Sequence, residues 1–233
     1  MSTFERYYIN LHNSKTKLII DEMELRVLID KCFINERTKV LYAGISTVQF
    51  VNKLAAKVKR VDVIENEEEL IREARKVLRE ENIRFILSDL DEAVLNEQYD
   101  CIILRHVLEH HVQPVKILKQ LKKYINNNGK IYITVPNAYS LHRWIGLEMK
   151  KLANIYELNN NDIRFGHKKL YTLEILYAEL SQAGLTPEKI GGTILKAMTI
   201  EDMEKMSESY IQACVKVATR FPELSGELYA ICF

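Results

Sequence analysis

Residues 104–114 read LRHVLEHHVQP and hold three of the six histidines. Wound helically, His106, Glu109 and His110 stand at i, i+3 and i+4 and share one face, while His111 points elsewhere. Such a face could bind a divalent metal, supply a general base, or both, because imidazole titrates near neutral pH and ligates metals readily. Residues 106–110 also spell H-x-x-E-H, a zinc-peptidase signature in which two histidines hold the ion and the glutamate activates water. That chemistry needs a long helix and a downstream ligand, whereas this segment follows a strand. His167, in DIRFGHKK, is a further catalytic candidate, with Asp162 and Arg164 beside it as contacts for a polar substrate.

A second set of residues fits nucleotide recognition. Gly44 ends the apolar run KVLYAG, where a ligand-binding loop needs a tight turn and close backbone approach. Glu65 ends RVDVIE, about twenty residues further on, the place from which a carboxylate accepts ribose hydroxyls. Asp89, in SDLD, would lie beside an adenine-sized site.

Alternating elements must position these groups. Short β-branched runs at 39–44, 60–65, 83–89, 99–106 and 130–137 alternate with helical patterns, the last run announced by NNNG. NEEELIREARKVLREEN places Ile71, Ala74 and Leu78 on one face, and PVKILKQLKKYI starts at Pro114, suited to a first helical turn. Strands alternating with helices predict a parallel sheet whose ligands bind at the carboxyl ends of the strands, where the strand order reverses. Residues 138–170 read as a lid or substrate insertion with an amphipathic stretch around WIGLEMKKLANIY. YTLEILYAELSQAGL is predicted helical, with Thr172 as N-cap and Gly184 as stop; EDMEKMSESYIQACVKVATRF reads as one more helix. PEKIGGTILKA and the closing GELYAICF would form an antiparallel hairpin.

The 233 residues carry 33 basic and 32 acidic side chains, a formal net charge of +1, which argues against a broad nucleic-acid footprint. At 47% apolar and 28% charged the composition is globular, and no apolar run is long enough to span a bilayer. Charges interrupt the N-terminal stretch and no signal peptide is visible, so cytoplasmic residence is expected. Cys32, Cys101, Cys214 and Cys232 form no CxxC pair and read as buried or idle thiols. One domain is expected: 1–35 as a helical flank, 36–137 as the cofactor-binding core, 138–170 as the lid and 171–233 as the rest of the sheet. Only eight glycines are present.

The ordered motifs VLYAGISTVQF, VDVIENEEELIREAR, ILSDLDE and YDCIILRHVLEHHVQPVKILKQLKKYINNNGKIYITVPNAYSLHR resemble the class I S-adenosylmethionine-dependent methyltransferases. The likeness is to the small-molecule branch with LEH after the fourth strand and VPN at the end of the fifth. It covers roughly residues 36–145, and GHKKLYTLEILYAELSQAGL also looks like the helix after the insertion. The resemblance implies a Rossmann-like, doubly wound α/β fold: a mostly parallel seven-stranded sheet with an antiparallel C-terminal hairpin and a helical lid. It gives Tyr42, Gly44 and Ser46 to the methionine end of the cofactor and Glu65 to the ribose. Asp89 and Leu90 fall to the adenine, Arg105 and His106 to the rim facing the sulfonium. Asn137, Asp162 and Arg164 would contact the acceptor.

Methyl transfer is an in-line displacement governed by alignment and desolvation, and an alcohol acceptor must also lose its proton. The expected base is His110, or His106 on the same face, with Glu109 orienting one of them. The polar lid suggests a sugar, nucleotide sugar or glycan precursor as acceptor; a homo-oligomer is possible. No metal is assigned: related ubiquinone-biosynthesis O-methyltransferases place ligands in the corresponding LEH stretch, which leaves a divalent ion possible but not favoured. Where the family has an acid followed by G-x-G-x-G, this chain has Tyr42, Gly44, Ser46 and Val48. The alternative is therefore a binding or scaffold subunit that has lost catalysis.

Overall fold

The structure, a computed structural model, describes residues 14–233. The part of the expected N-terminal flank at 1–13 lies outside the described residues. Helix α1 (Lys15–Lys31) starts at Ser14, whose hydroxyl accepts the Lys17 N–H. Strands β1 (Lys39–Ala43), β2 (Arg60–Glu65) and β3 (Ile83–Leu87) alternate with α2 (Val48–Ala55) and α3 (Glu68–Val77). Then come β4 (Tyr99–Arg105), a 3₁₀ turn at Leu108–His110, α4 (Pro114–Lys122) and β5 (Ile125–Pro136). The lid carries α5 (Leu141–Glu148) and α6 (Asn160–Arg164). The chain ends with α7 (Leu173–Gln182), β6 (Pro187–Gly192), α8 (Ile200–Met203), α9 (Glu208–Ala218) and β7 (Glu227–Cys232).

The seven strands lie in the order β3-β2-β1-β4-β5-β7-β6. β1 to β5 pair in parallel, and β7 runs antiparallel to both β5 and β6, which makes the doubly wound sheet with a C-terminal hairpin. The strands read as continuous apolar runs because both faces are covered. Leu41, Ile64, Ile102, Leu104 and Ile133 face α4 and α7, meeting Leu118, Leu121, Leu176 and Leu180. Val40, Tyr42, Val63, Ile103 and Tyr132 alternate to the other face, against Leu28, Phe50, Leu54 and Leu70 of α1, α2 and α3. The order reverses between β1 and β4, and the cleft opens at their carboxyl ends.

Thr172 caps α7 as expected, accepting the Ile175 N–H, and Gly184 ends it at φ +72°. Pro114 opens α4. Two expectations are corrected. β5 begins at Ile125, so NNNG lies within the strand, at a register shift opposite Tyr99 and Cys101. The helix expected across 201–221 is two, because the Ser207 hydroxyl accepts the Tyr210 N–H and starts α9 afresh. All four cysteines are free. Among the described residues no helix is long and apolar enough to cross a membrane.

Candidate functional site

The cleft at the strand ends has a volume of about 1240 Å³ and is lined from the β1–α2 loop across to the lid and the start of β7. At one end Gly44 turns the chain at φ +70°, its N–H donating to Ile64 O at 2.8 Å. No other residue from 44 to 48 has a positive φ, so Ser46 and Val48 stand where the backbone makes no demand for glycine. Glu65, at the end of β2, ties the loop to the next turn. Its Oε2 accepts the Ile45 N–H at 3.0 Å and its Oε1 those of Asn66 and Glu67 at 2.8 and 3.2 Å. Burial raises its pKa and these three N–H groups pull it back, leaving it above the usual carboxylate value. A carboxylate oxygen has two lone pairs, so Oε2 keeps one for a ribose hydroxyl. Ile64, Leu70, Ser88 and Leu90 continue the wall as an apolar slot fit for an adenine. These residues suit an S-adenosyl cofactor. Asp89 instead accepts from Asn66 Nδ2 at 2.8 Å.

Tyr42, at the family's acid position, is fully buried beneath the loop, its hydroxyl 2.6 Å from Ser46 Oγ. Arg105 reaches the same Ser46 oxygen at 3.5 Å, stacks over Phe50 at 3.8 Å and pairs with Asp21 at 2.7 Å and with Glu24. Although it borders the cleft, its guanidinium is 4% exposed and committed to α1. The expected contact with the sulfonium rim gives way to a buried ion cluster that docks α1 on the cofactor loop.

The strand leaves β4 through His106, held in the left-handed region at φ +52°. Its Nδ1 lies 3.1 Å from Glu109 and its Nε2 3.6 Å from Glu227. Burial alone would lower its pKa, but Glu227 and Glu109 outweigh burial and lift it to about 9. The ring is therefore a cation at neutral pH with no lone pair to take a proton, which corrects its expected role as a base. Residues 106–110 are not a long helix, only a strand end and one 3₁₀ turn, so the peptidase reading falls.

Glu109 is fully buried, with Oε2 lacking a hydrogen-bond partner among the described residues. His110 borders the cleft, and burial, opposed by Glu109, holds its pKa below the ordinary value. The lid closes on this turn: Lys168 N–H donates to Glu109 O at 2.7 Å, and the His167 ring meets His110 edge-on at 4.9 Å. Ligand atoms of Glu109, His110 and His167 all lie within 4.8 Å of one another, a group that could hold a metal ion. The structure thus brings all four predicted catalytic residues together around Glu109, with His106 bridging from it to Glu227.

In the lid, Asp162 completes the capping box of α6 and pairs with Arg143 at 3.3 Å and His167 at 3.2 Å. Burial would raise its pKa; His167, the Asn159 N–H and Arg143 bring it below the usual value. Asp162 thus lies against the Nδ1 side of the His167 ring. Arg164 lines the cleft. Asn137 is spent on the fold: its Nδ2 donates to Glu223 O at 2.9 Å and Ser225 O at 2.8 Å, and its Oδ1 accepts the Tyr139 N–H. It clamps the exit of β5 rather than offering a free amide to an acceptor. Sequence reasoning missed Glu227, Lys17, Lys196 and His142, which line the far end. Glu227 takes Lys17 at 3.3 Å and Thr193 Oγ1 at 3.1 Å. Only its place at the head of the last strand, opposite Pro136 of β5, signals it.

Residues 24–190 match the model of a family described as a methyltransferase domain. Among solved structures, the N-methyltransferase NodS from Bradyrhizobium japonicum WM9, in complex with S-adenosyl-L-homocysteine, aligns with a TM-score of 0.62 at 14% identity. That alignment covers 96% of this chain and 89% of that one. An S-adenosylmethionine-dependent methyltransferase from Archaeoglobus fulgidus gives 0.62 at 16%, over 99% of both chains. The [4+2]-cyclase SpnF gives 0.61 at 13%, over 91% of this chain and 79% of that one. No functionally curated protein matches. With more than half its length matched and the sheet wound as the family's is, the chain belongs to the methyltransferase-domain family, that of the class I S-adenosylmethionine-dependent methyltransferases.

Proposed function

We propose that this chain is an O-methyltransferase acting on a hydroxylated small molecule such as a sugar, nucleotide sugar or glycan precursor, with His110 as the base. The observation that carries the reading is His110 itself: a ring bordering the cleft, kept neutral by burial, on the turn that follows β4. When bound, S-adenosylmethionine supplies an electrophilic methyl group on a sulfonium. Gly44, Glu65 and the slot ending at Leu90 would hold it, with Tyr42 and Ser46 supporting the loop from below. Ser46 and Arg105 fix α1 against the same loop. A ring nitrogen of His110 accepts the acceptor's hydroxyl proton as that oxygen becomes the nucleophile. Glu109 steadies the resulting imidazolium, and Asp162 lies against the Nδ1 side of the neighbouring His167. Arg164 and the polar lid exclude water and contact the acceptor.

The scaffold alternative rests on the loss of the acid at Tyr42 and of the later glycines. Against it stands the loop itself, in which only Gly44 needs glycine's freedom. Calorimetric titration with S-adenosylmethionine and S-adenosylhomocysteine separates the two: absence of binding at about 1 mM ligand removes the enzyme reading. The chemistry fits the cytoplasm, a reducing compartment in which four free cysteines persist.

A further inference from the structure

At the end of the cleft near β7, Lys196 is a cation without a partner among the described residues. Lys196 enters after β6 with its stem over Gly226, where an added Cβ would meet its Cε at 2.8 Å. Its ammonium makes neither a hydrogen bond nor a close ion pair with any described residue. His142, on α5, lines the same wall and carries a buried Nδ1 that also lacks a partner. Burial, then Lys196 and Arg143, push this imidazole down to about 3, so it is neutral and one ring nitrogen carries a donor proton.

Three carboxylates of this end, Glu204, Asp162 and Glu227, are engaged elsewhere. Glu204 accepts from Ser14 Oγ and from the Lys15 and Thr16 N–H groups, and Asp162 pairs with Arg143 and His167. Glu227 is shared by Lys17 and His106, and His106 also holds Glu109. Glu227, the strongest charge influence on Lys196, is thus already engaged by Lys17 and His106. A desolvated ammonium without its own anion is costly, and burial, only partly offset by Glu227, accordingly pushes Lys196 down to about 8.

We propose that Lys196 and His142 form a subsite for a compact oxyanion on the acceptor, a carboxylate or phosphate, with both side chains donating to it. The subsite flanks Glu227 at the head of β7, and β4 and β5 separate it from the β1 loop, which puts it on the acceptor's side of the cleft. It rests on the methyltransferase reading only in taking that end for the acceptor.

The test is ¹⁵N NMR of the histidine rings in the full chain saturated with S-adenosylhomocysteine, titrated separately with inorganic phosphate and with acetate. The His142 ring should shift saturably with one or both anions, with half-saturation at about 1–10 mM. Lys196→Met should weaken this about tenfold or more, and Lys196→Arg should restore it. Lys196→Gln replaces the Met variant if that one does not fold. Saturation by phosphate alone identifies a phosphorylated acceptor, and by acetate alone a carboxylate one. No saturable shift up to about 50 mM of either anion, or unchanged anion affinity in a folded Lys196→Met, overturns the subsite. The same samples report cofactor affinity: anion binding without S-adenosylhomocysteine binding removes the methyltransferase reading and leaves the subsite, and the converse does the reverse.

Discussion

His106 and Glu227 meet at 3.6 Å across the floor of the cleft, and with Glu109 on its other nitrogen the ring is clamped between two carboxylates. The pKa of His106 rises from 6.5 to about 9 on folding, so the stabilisation is complete below about 6.5 and lost as pH climbs through 9. Lys196, lowered to about 8, works oppositely: its cost is relieved between about 8 and 10.5. The His106 contribution is therefore read as a difference. His106→Asn, which tolerates the left-handed backbone, should cost on the order of 2 kcal/mol at pH 6, discounted for the ring's 23% exposure. The gap from the wild type should close by pH 10 in thermal melts. A gap that does not vary with pH would show the ring to be uncharged.

His110→Gln should lower turnover by about 10²–10⁴-fold while leaving S-adenosylhomocysteine affinity within about twofold. Because burial lowers the His110 pKa, the acid limb of kcat should fall below pH 6.5, the ordinary histidine value. An unchanged rate in the variant would remove His110 from the mechanism.

With Glu109, His110 and His167 offering ligand atoms within 4.8 Å, added zinc would occupy the lone pair that the base needs. Turnover should survive a chelator and fall when micromolar zinc is added, with recovery on chelation. Loss of activity in chelator alone would instead make the ion part of the machinery.

Glu65→Ala should weaken S-adenosylhomocysteine binding by about ten- to a hundredfold, because it removes the ribose acceptor and also frees the N–H groups of Ile45, Asn66 and Glu67. Isothermal titration reads the change. Equal affinity in wild type and variant would move the ribose elsewhere.

Tyr42→Phe deletes one buried hydroxyl bond to Ser46 and should cost about 1 kcal/mol in urea unfolding. Arg105→Met strands Asp21 and Glu24 in the interior and should cost about 3–5 kcal/mol. Similar costs for the two variants would mean that α1 is not held by this ion cluster.

Local chemistry written in consecutive residues was readable without coordinates. The alternation of β1 to β5 with helices follows from apolar runs and 3.6-residue periods, and Gly44 and Glu65 are marked by their places at strand ends. Thr172 and Gly184 declare a helix start and stop because caps act within a few residues. Ser207 shows the limit, since a helical pattern ran through a residue whose hydroxyl could also begin a new helix.

The charge states were decided only by tertiary structure. Nothing near His106 in sequence says that Glu227 will face it; antiparallel pairing of β7 with β5 brings that carboxylate to the end of β4. Arg105 looked like a rim residue until α1 folded back with Asp21 and Glu24, and Asn137 looked like a ligand contact until Glu223 and Ser225 consumed its amide. The sequence by itself determined the winding of the sheet and the strand ends where chemistry could gather, because hydrophobic period and capping are short-range. Which histidine carries a charge and which remains neutral depends on desolvation and on carboxylates delivered by distant strands, and those exist only once the chain has closed on itself.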